Sequence, residues 1–244
     1  MVAFTWRRLL PSSLVTETGF GLIVQILPEP LLYLTQRSRL GRFPLCTPLR
    51  LVYGNCPSLP LREGSEKQPL SAYGADKLGC ELHAWVAGKV HALPSVGLRL
   101  FNVYGPGQDP KSPYSGVISI FCDRIPRGEP IEIFGDGRQS RDFIFVDDVV
   151  MALLLATNTR LSGERVLNIC TGKATSVLNL AQTIANLCGQ DLAIRFQPPR
   201  KGEVTHSYGD PTDAKHALGV TSYTELRIGL SATLARPEGL RGSQ

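Results

Sequence analysis

At 244 residues with 43% hydrophobic and 19% charged content, the chain is long enough for one domain, or a domain with a small lobe, and can bury a sizeable core. Six cysteines (Cys46, Cys56, Cys80, Cys122, Cys170, Cys188) form no Cys-x-x-Cys, and none of the four histidines joins one at metal-ligand spacing. That sets aside a metal centre and predicts reduced thiols in a cytoplasmic protein. No basic element carries interleaved aromatics and no apolar run reaches a membrane span, which sets aside nucleic acid and membrane as partners.

The first fifty residues stand apart. They hold six Arg, two Glu and no Lys, Asp or Asn, and contribute +4 of the net charge of +5. Pro28 and Pro30 interrupt any helix across 24–34, and regular periodicity is poor. Beyond them the pattern becomes regular. Residues 52–54 are expected to end a parallel strand, and 57–69 read as loop. Ser71 is placed to cap a helix running to about Val90, with Tyr73 in its first turn. A strand over 96–101 leads to Asn102 and a Gly/Pro-rich loop at 105–113. Residues 116–127 are helical by pattern. Short strands at 131–134 and 142–145 flank the turn Gly135-Asp136-Gly137. Asp147 is placed to cap a helix to about Thr157. Strands at 166–169 and 193–196 enclose a helix at 176–187, and 210–217 and 224–234 read as closing helices. Strands alternating with helices define an α/β fold.

Tyr73 and Lys77 lie four apart on the first of these helices and so share a face. A free phenol titrates near 10 and is a poor base at neutral pH. A neighbouring ammonium stabilises the phenolate and lowers that value. The pair therefore makes a general base for a hydroxyl proton, the chemistry of alcohol oxidation coupled to hydride transfer. The spacing alone is weak, because most such pairs are solvated helix faces. His83 lies nearly three turns beyond Tyr73, roughly 15 Å along the axis, and reads as structural.

Order and context strengthen the reading. Val-Tyr-Gly at 52–54 is followed by Pro-Leu-Ser-Ala-Tyr-Gly-Ala-Asp-Lys at 69–77 and Phe-Asn-Val-Tyr-Gly-Pro-Gly-Gln-Asp-Pro at 101–110. Tyr-Ser-Gly-Val-Ile-Ser at 114–119, Ile-Phe-Gly-Asp-Gly-Arg-Gln-Ser-Arg-Asp-Phe-Ile-Phe-Val-Asp-Asp-Val at 133–149 and Arg-Lys-Gly-Glu at 200–203 complete the series. In these six ordered blocks the chain resembles the extended short-chain dehydrogenase/reductase family, in its NAD-dependent epimerase/dehydratase branch. The pattern is most similar to bacterial UDP-glucose and UDP-N-acetylglucosamine 4-epimerases.

The resemblance implies a truncated doubly wound, Rossmann-like parallel sheet with a small C-terminal α/β substrate lobe. It divides the chain into an anomalous segment at 1–50, the C-terminal part of a Rossmann domain at 51–110, and a nucleotide-sugar lobe over most of 111–244. It implies NAD as cofactor, a UDP-sugar as substrate, and a homodimer through the Tyr73 helix. Tyr73 would take the sugar 4-OH proton, and Lys77 would hold the nicotinamide ribose. Phe101 would lie beside the cofactor. Asn102, Arg141 and Arg200 would meet the diphosphate, where the planar fork of Arg suits phosphate. Phe134 would offer a face to uracil, and Glu203 would accept from the uridine ribose. Taken singly, each also has a plain reading: core packing for Phe134, an ion pair with Asp142 or Asp147 for Arg141, solvated loop charges for Arg200 and Glu203.

Two departures from the family pattern bear on function. The 244 residues contain no Gly-x-x-Gly-x-x-Gly turn to cradle a dinucleotide pyrophosphate. Thr18-Gly19-Phe20-Gly21 lacks the third glycine and reads as an ordinary turn. Leu49 stands where the family carries a Ser or Thr that bonds the sugar 4-OH. Three readings of residues 1–50 compete: out-of-frame or mis-started translation, a targeting segment, and a divergent replacement. The abrupt change in composition favours the first. The function expected is therefore epimerisation of a UDP-sugar at C4. The alternatives are a dehydratase or decarboxylase of the same family and a non-catalytic remnant that at most binds UDP-sugar. Arg50-Leu51 argues against the dehydratase, which usually carries an acidic pair there.

Overall fold

The structure, a computed structural model, describes residues 43–48, 50–92, 95–112, 115–159, 165–200, 202, 204–220 and 222–235, with side chains from Val52 onward. Strand β1 (Phe43–Pro48) opens the described chain and pairs in parallel with β2 (Ser95–Leu100). Strand β7 (Arg165–Ile169) lies on the other side of β2, also parallel. Pro44 and Pro48 lack an N–H, and their even spacing puts both gaps on one edge of β1. Residues 50–53 form a short helix, α1 (Arg50–Tyr53), where a strand end was expected. The strand stops earlier, at Pro48, and the Val-Tyr-Gly segment turns over its end. Gly54 makes the exit from α1 with φ +58°, and a Cβ there would collide with the carbonyl of Gln68.

Helix α2 (Ala72–His91) lies in the connection between the parallel strands β1 and β2. The chain changes sheets after β2. The Phe101 N–H still donates to Ile169 on β7, whereas the Asn102 N–H donates to Asp142. Strand β3 (Asn102–Tyr104) then pairs with β6 (Phe143–Phe145). This switch between two adjacent residues opens the space in which the candidate site lies.

Helix α3 (Val117–Arg124) runs into a 3-10 turn at Ile125–Arg127, tightened by Pro126. Strands β4 (Ile131–Phe134) and β9 (Ile194–Gln197) pair in parallel, with α5 (Val177–Cys188) between them in sequence. Ser176 caps α5 by accepting the Asn179 N–H at 3.1 Å. Two-residue strands β5 (Ser140–Arg141), β8 (Thr175–Ser176) and β10 (His206–Ser207) form a small mixed sheet. Helix α4 (Val146–Asn158) follows β6 directly. Asp147 does not cap it: the N-cap is Phe145, and Asp147 and Asp148 sit in the first turn. There a carboxylate still favours the helix dipole, while Asp148 reaches Thr224 through N at 2.9 Å and Oγ1 at 3.1 Å. Helices α6 (Thr212–Leu218) and α7 (Leu226–Leu234) close the chain.

Two large apolar clusters result. One lies between β2, β7, α4 and α6 and includes Leu98, Ile144, Ala152, Leu167 and Ala214. The other lies between α3, α5, α7, β4 and β6 and includes Phe121, Ile131, Phe143, Leu180 and Leu230. A third, smaller cluster joins Val52, Tyr53, Leu61, Phe101 and Cys170 beneath the loop that precedes α2.

Candidate active site

Ser71 positions the base pair. Its Oγ accepts the Gly74 N–H at 3.1 Å and fixes the first turn of α2, in which Tyr73 sits. Tyr73 is 40% exposed and Lys77, one turn on, is 3% exposed. The Lys77 ammonium approaches the face of the Tyr73 ring, 5.1 Å from its centre. The expected depression of the phenol is not what this geometry yields. Burial raises the Tyr73 pKa, with Cys80 on the same helix adding to the effect. Desolvation disfavours the phenolate.

Behind this helix face lies a buried polar network. Arg99 on β2 grips Glu81 of α2 with both arms of its fork, Nε to Oε1 at 2.9 Å and Nη2 to Oε2 at 2.7 Å. Its third nitrogen, Nη1, donates to the Tyr53 hydroxyl and to the Glu63 carbonyl. Tyr53 donates in turn to Asn168 Oδ1 at 2.7 Å. Asn168 donates its backbone N–H to the Glu63 carboxylate at 2.7 Å and its side-chain amide to the Leu61 carbonyl at 3.0 Å. Arg99 is 1% exposed and Asn168 fully buried.

The second part of the site is a cavity of about 430 Å³. Asn102, Phe134, Arg141 and Arg200, all predicted from sequence, line it together. The turn after β4 makes this convergence. Gly135 and Gly137 have φ of +75° and +77°, and a Cβ on Gly137 would press on Ile133 and Leu178. Arg141 follows on β5, where it is buried and donates to the carbonyls of Ser140 and Thr205. Asn102 donates its side-chain amide to the Asp142 carbonyl at 2.8 Å, which leaves its second amide hydrogen for a ligand. Arg200 and Phe134 are not independent: the guanidinium stacks 3.8 Å from the ring centre.

Asp142, next to Arg141 in the chain, is fully buried. Its carboxylate accepts from Thr171 N and Oγ1, Gly172 N and Gly209 N. Four donors from two distant segments thus meet one buried carboxylate. Burial still raises its pKa, with the hydrogen bonds pulling the other way.

Gln108, Arg124 and Gln139 also line the cavity and were not singled out from the sequence. Gln139 precedes Arg141 by two, so alternation along the chain could have found it. Gln108 lies in the loop after Asn102, and nothing local separates Arg124 from a solvated helix-end charge. Tyr73 and Lys77 do not line this cavity. Phe101 does not either: its ring is 3% exposed in the small core cluster, and a Cβ on Gly209 would strike it. Glu203, Leu49 and the Thr18–Gly21 turn lie outside the described residues.

Residues 29–170 match the NAD dependent epimerase/dehydratase family, and the chain belongs to it. The chain is 36% identical over 183 residues to a UDP-glucose 4-epimerase of Mycolicibacterium smegmatis, covering 75% of this chain and 58% of that one. Among solved structures it is similar to the UDP-glucose 4-epimerase of Thermotoga maritima with UDP-glucose, at 37% identity and TM-score 0.76. The alignment covers 80% of this chain and 62% of that one. It is also similar to the UDP-N-acetylglucosamine 4-epimerase of Methanobrevibacter ruminantium M1 in complex with UDP-N-acetylmuramic acid. There the identity is 32%, the TM-score 0.75, and the coverage 80% of this chain and 62% of the other. The α/β fold is thus Rossmann-like, and the chain spans less than two thirds of these relatives' length. No helix among the described residues is long and apolar enough to cross a membrane.

Proposed function

We propose that this chain carries the proton-transfer residues and the sugar-nucleotide half of an NAD-dependent UDP-sugar 4-epimerase. The observation that carries the reading is the cavity in which Asn102, Phe134, Arg141 and Arg200 meet from separate segments of the chain. Two guanidinium groups and an amide suit a diphosphate, and an aromatic ring suits uracil. Glu203, three residues after Arg200, would accept from the ribose hydroxyls.

Tyr73 takes the sugar 4-OH proton at its Oη and returns it after the sugar has presented its other face. A bound NAD would supply the hydride acceptor and donor for C4, so the sugar would end at its original oxidation level. Lys77 and the Tyr73 hydroxyl fit a nicotinamide ribose by their donor chemistry, the ammonium being fixed beside the phenol. Burial raises the Tyr73 phenol, which opposes its ionisation. The pyrophosphate half of NAD lacks its glycine-rich cradle in these 244 residues. The chain as written is therefore expected to bind NAD weakly and to show no epimerase activity, while still binding UDP. Calorimetry with UDP and with NAD, and an assay interconverting UDP-glucose and UDP-galactose, test this. Absence of UDP binding sinks the reading, and micromolar NAD affinity shows that residues 1–50 hold a cofactor site.

A homodimer is proposed through α2. Leu82, Trp85, Val86 and Val90 are 59%, 55%, 45% and 67% exposed, and their spacing makes one apolar stripe on a long helix. Sedimentation of the wild type against Trp85→Glu tests it: a monomeric wild type rules the dimer out. A cytoplasmic location accords with the free thiols of Cys56, Cys80, Cys122, Cys170 and Cys188.

A further inference from the structure

We infer that Arg99 and Glu81 are positioning residues: the buried fork between them sets the placement of Tyr73 and Lys77. The base role of that pair rests on the function proposed above. Tyr73, Lys77 and Glu81 follow one another at intervals of four on α2, so they lie in line on one helix face. That face turns inward as it descends, from Tyr73 at 40% exposure to Lys77 at 3% and Glu81 at 9%. Glu81 is the point at which the face is fixed. The bidentate fork constrains both the rotation of α2 about its axis and its distance from β2. A single hydrogen bond would leave the rotation free.

Arg99 is itself held, which is what makes it an anchor. Its Nη1 is fixed by Tyr53 on α1 and by the Glu63 carbonyl in the loop before α2. Tyr53 and Glu63 are both tied to Asn168 on β7. The network therefore joins the segment before α2, the strand after it and the next strand of the sheet. Arg99 also lies two residues before Phe101 and three before Asn102, at the strand end where the chain switches sheets. One side chain thus couples the helix carrying the base to the strand end bordering the cavity.

A role in stability alone is separable from positioning. Replacing a buried ion pair by well-packed hydrophobic residues of similar volume is often harmless to stability. The double variant Glu81→Leu/Arg99→Met should therefore unfold close to the wild-type temperature, yet lose the fork. The readout is acetylation of Lys77 by acetic anhydride in the folded full chain, followed by peptide mass spectrometry. Lys89, exposed on the same helix, is the internal reference. We expect the Lys77-to-Lys89 ratio to rise at least about fivefold in the variant, as loss of about 1 kcal/mol of local protection implies. An unchanged ratio in a folded variant overturns the proposal. If the double variant does not fold, Glu81→Gln alone is measured. Selective labelling of Lys77 then supports positioning, and equal gains at Lys77 and Lys89 overturn it. UDP calorimetry on the wild type separates the two readings. Failure to bind UDP with Lys77 still protected removes the epimerase reading and leaves the clamp standing.

Discussion

The two halves of the candidate site spend their charges differently. In the half built on α2 and β2, the charged groups face one another. Arg99 and Glu81 are nine-tenths buried or more and close a network through Tyr53, Asn168 and Glu63. In the half built on β4, β5 and the segment before β10, cations face the cavity. Arg200 rests on Phe134 and Arg141 leans on two carbonyls. A saturated network fixes geometry and has nothing left for a ligand. The guanidinium groups of Arg200 and Arg141 both line the cavity, where a phosphate could meet them. The first arrangement suits a residue whose placement must not vary, such as a base. The second suits a residue that binds.

The largest way to break this contrast is Arg99→Ala. It leaves the Glu81 carboxylate buried without its partner, a loss of about 3–5 kcal/mol. Urea unfolding should show it, and a change below about 1 kcal/mol would mean that water or another group takes over from Arg99.

An alkaline titration sharpens the same half. Tyr53 is pushed up to about 12, by burial first, with the Arg99 charge opposing. In the unfolded chain its phenol titrates near 10. Above that pH the unfolded state releases its proton before the folded one. The contribution of the neutral phenol is therefore complete below about pH 10 and lost as pH rises toward 12, a fall of about 2–3 kcal/mol. Tyr53→Phe should be less stable at pH 8 but flatter between pH 10 and 12. An unchanged alkaline slope would show that Tyr53 does not carry it.

The binding half should answer oppositely. Arg200→Ala is expected to weaken UDP binding by about 1.5–3 kcal/mol, the range for hydrogen bonds to charged groups, with little loss of stability. Calorimetry and thermal unfolding on one preparation give both numbers. Equal UDP affinity in wild type and variant would remove Arg200 from the site.

What was legible in the sequence follows the same division between local and long-range causes. The cap at Ser71 and the extent of α2 were readable, because capping and helix periodicity are local chemistry. Asn102, Phe134, Arg141 and Arg200 were legible as a set because their motifs keep order and spacing, and all four line one cavity, while Glu203 lies outside the described residues. The strand over 43–48 was not readable, since Pro44 and Pro48 argue against a strand away from an edge. Residues 52–54 looked like a strand end because Val-Tyr has strand-like side chains, whereas residues 50–53 are helical and the strand ends at Pro48. Asp147 looked like a cap, whereas its neighbour Asp148 finds Thr224 far along the chain. Arg99 gave no signal either. An arginine inside an apolar strand reads as a solvated position until Glu81 and Tyr53 are seen around it.

The smallest expected effect gives the most controlled comparison, because each half contains the same device. Ser71 caps α2 and Ser176 caps α5, each accepting a backbone N–H three residues on at 3.1 Å. Serine to alanine at either position should cost about 0.5–2 kcal/mol. Equal costs would say only that the caps are chemically alike. Their consequences should differ. Ser71 lies two residues before Tyr73, so loss of its cap frays the turn that carries the phenol while the Arg99 fork, two turns further along, holds. Ser176 lies beside β5 and the turn after β4, so its loss is felt by the wall of the cavity. We expect Ser71→Ala to raise hydrogen exchange at residues 73–75 and leave UDP affinity unchanged. We expect Ser176→Ala to leave those amides alone and to weaken UDP binding slightly. If Ser71→Ala also loosened residues 77–81, the helix would be held from its end and not from the fork. The rigid half of the site would then owe its geometry to a cap, which is the weaker of the two restraints.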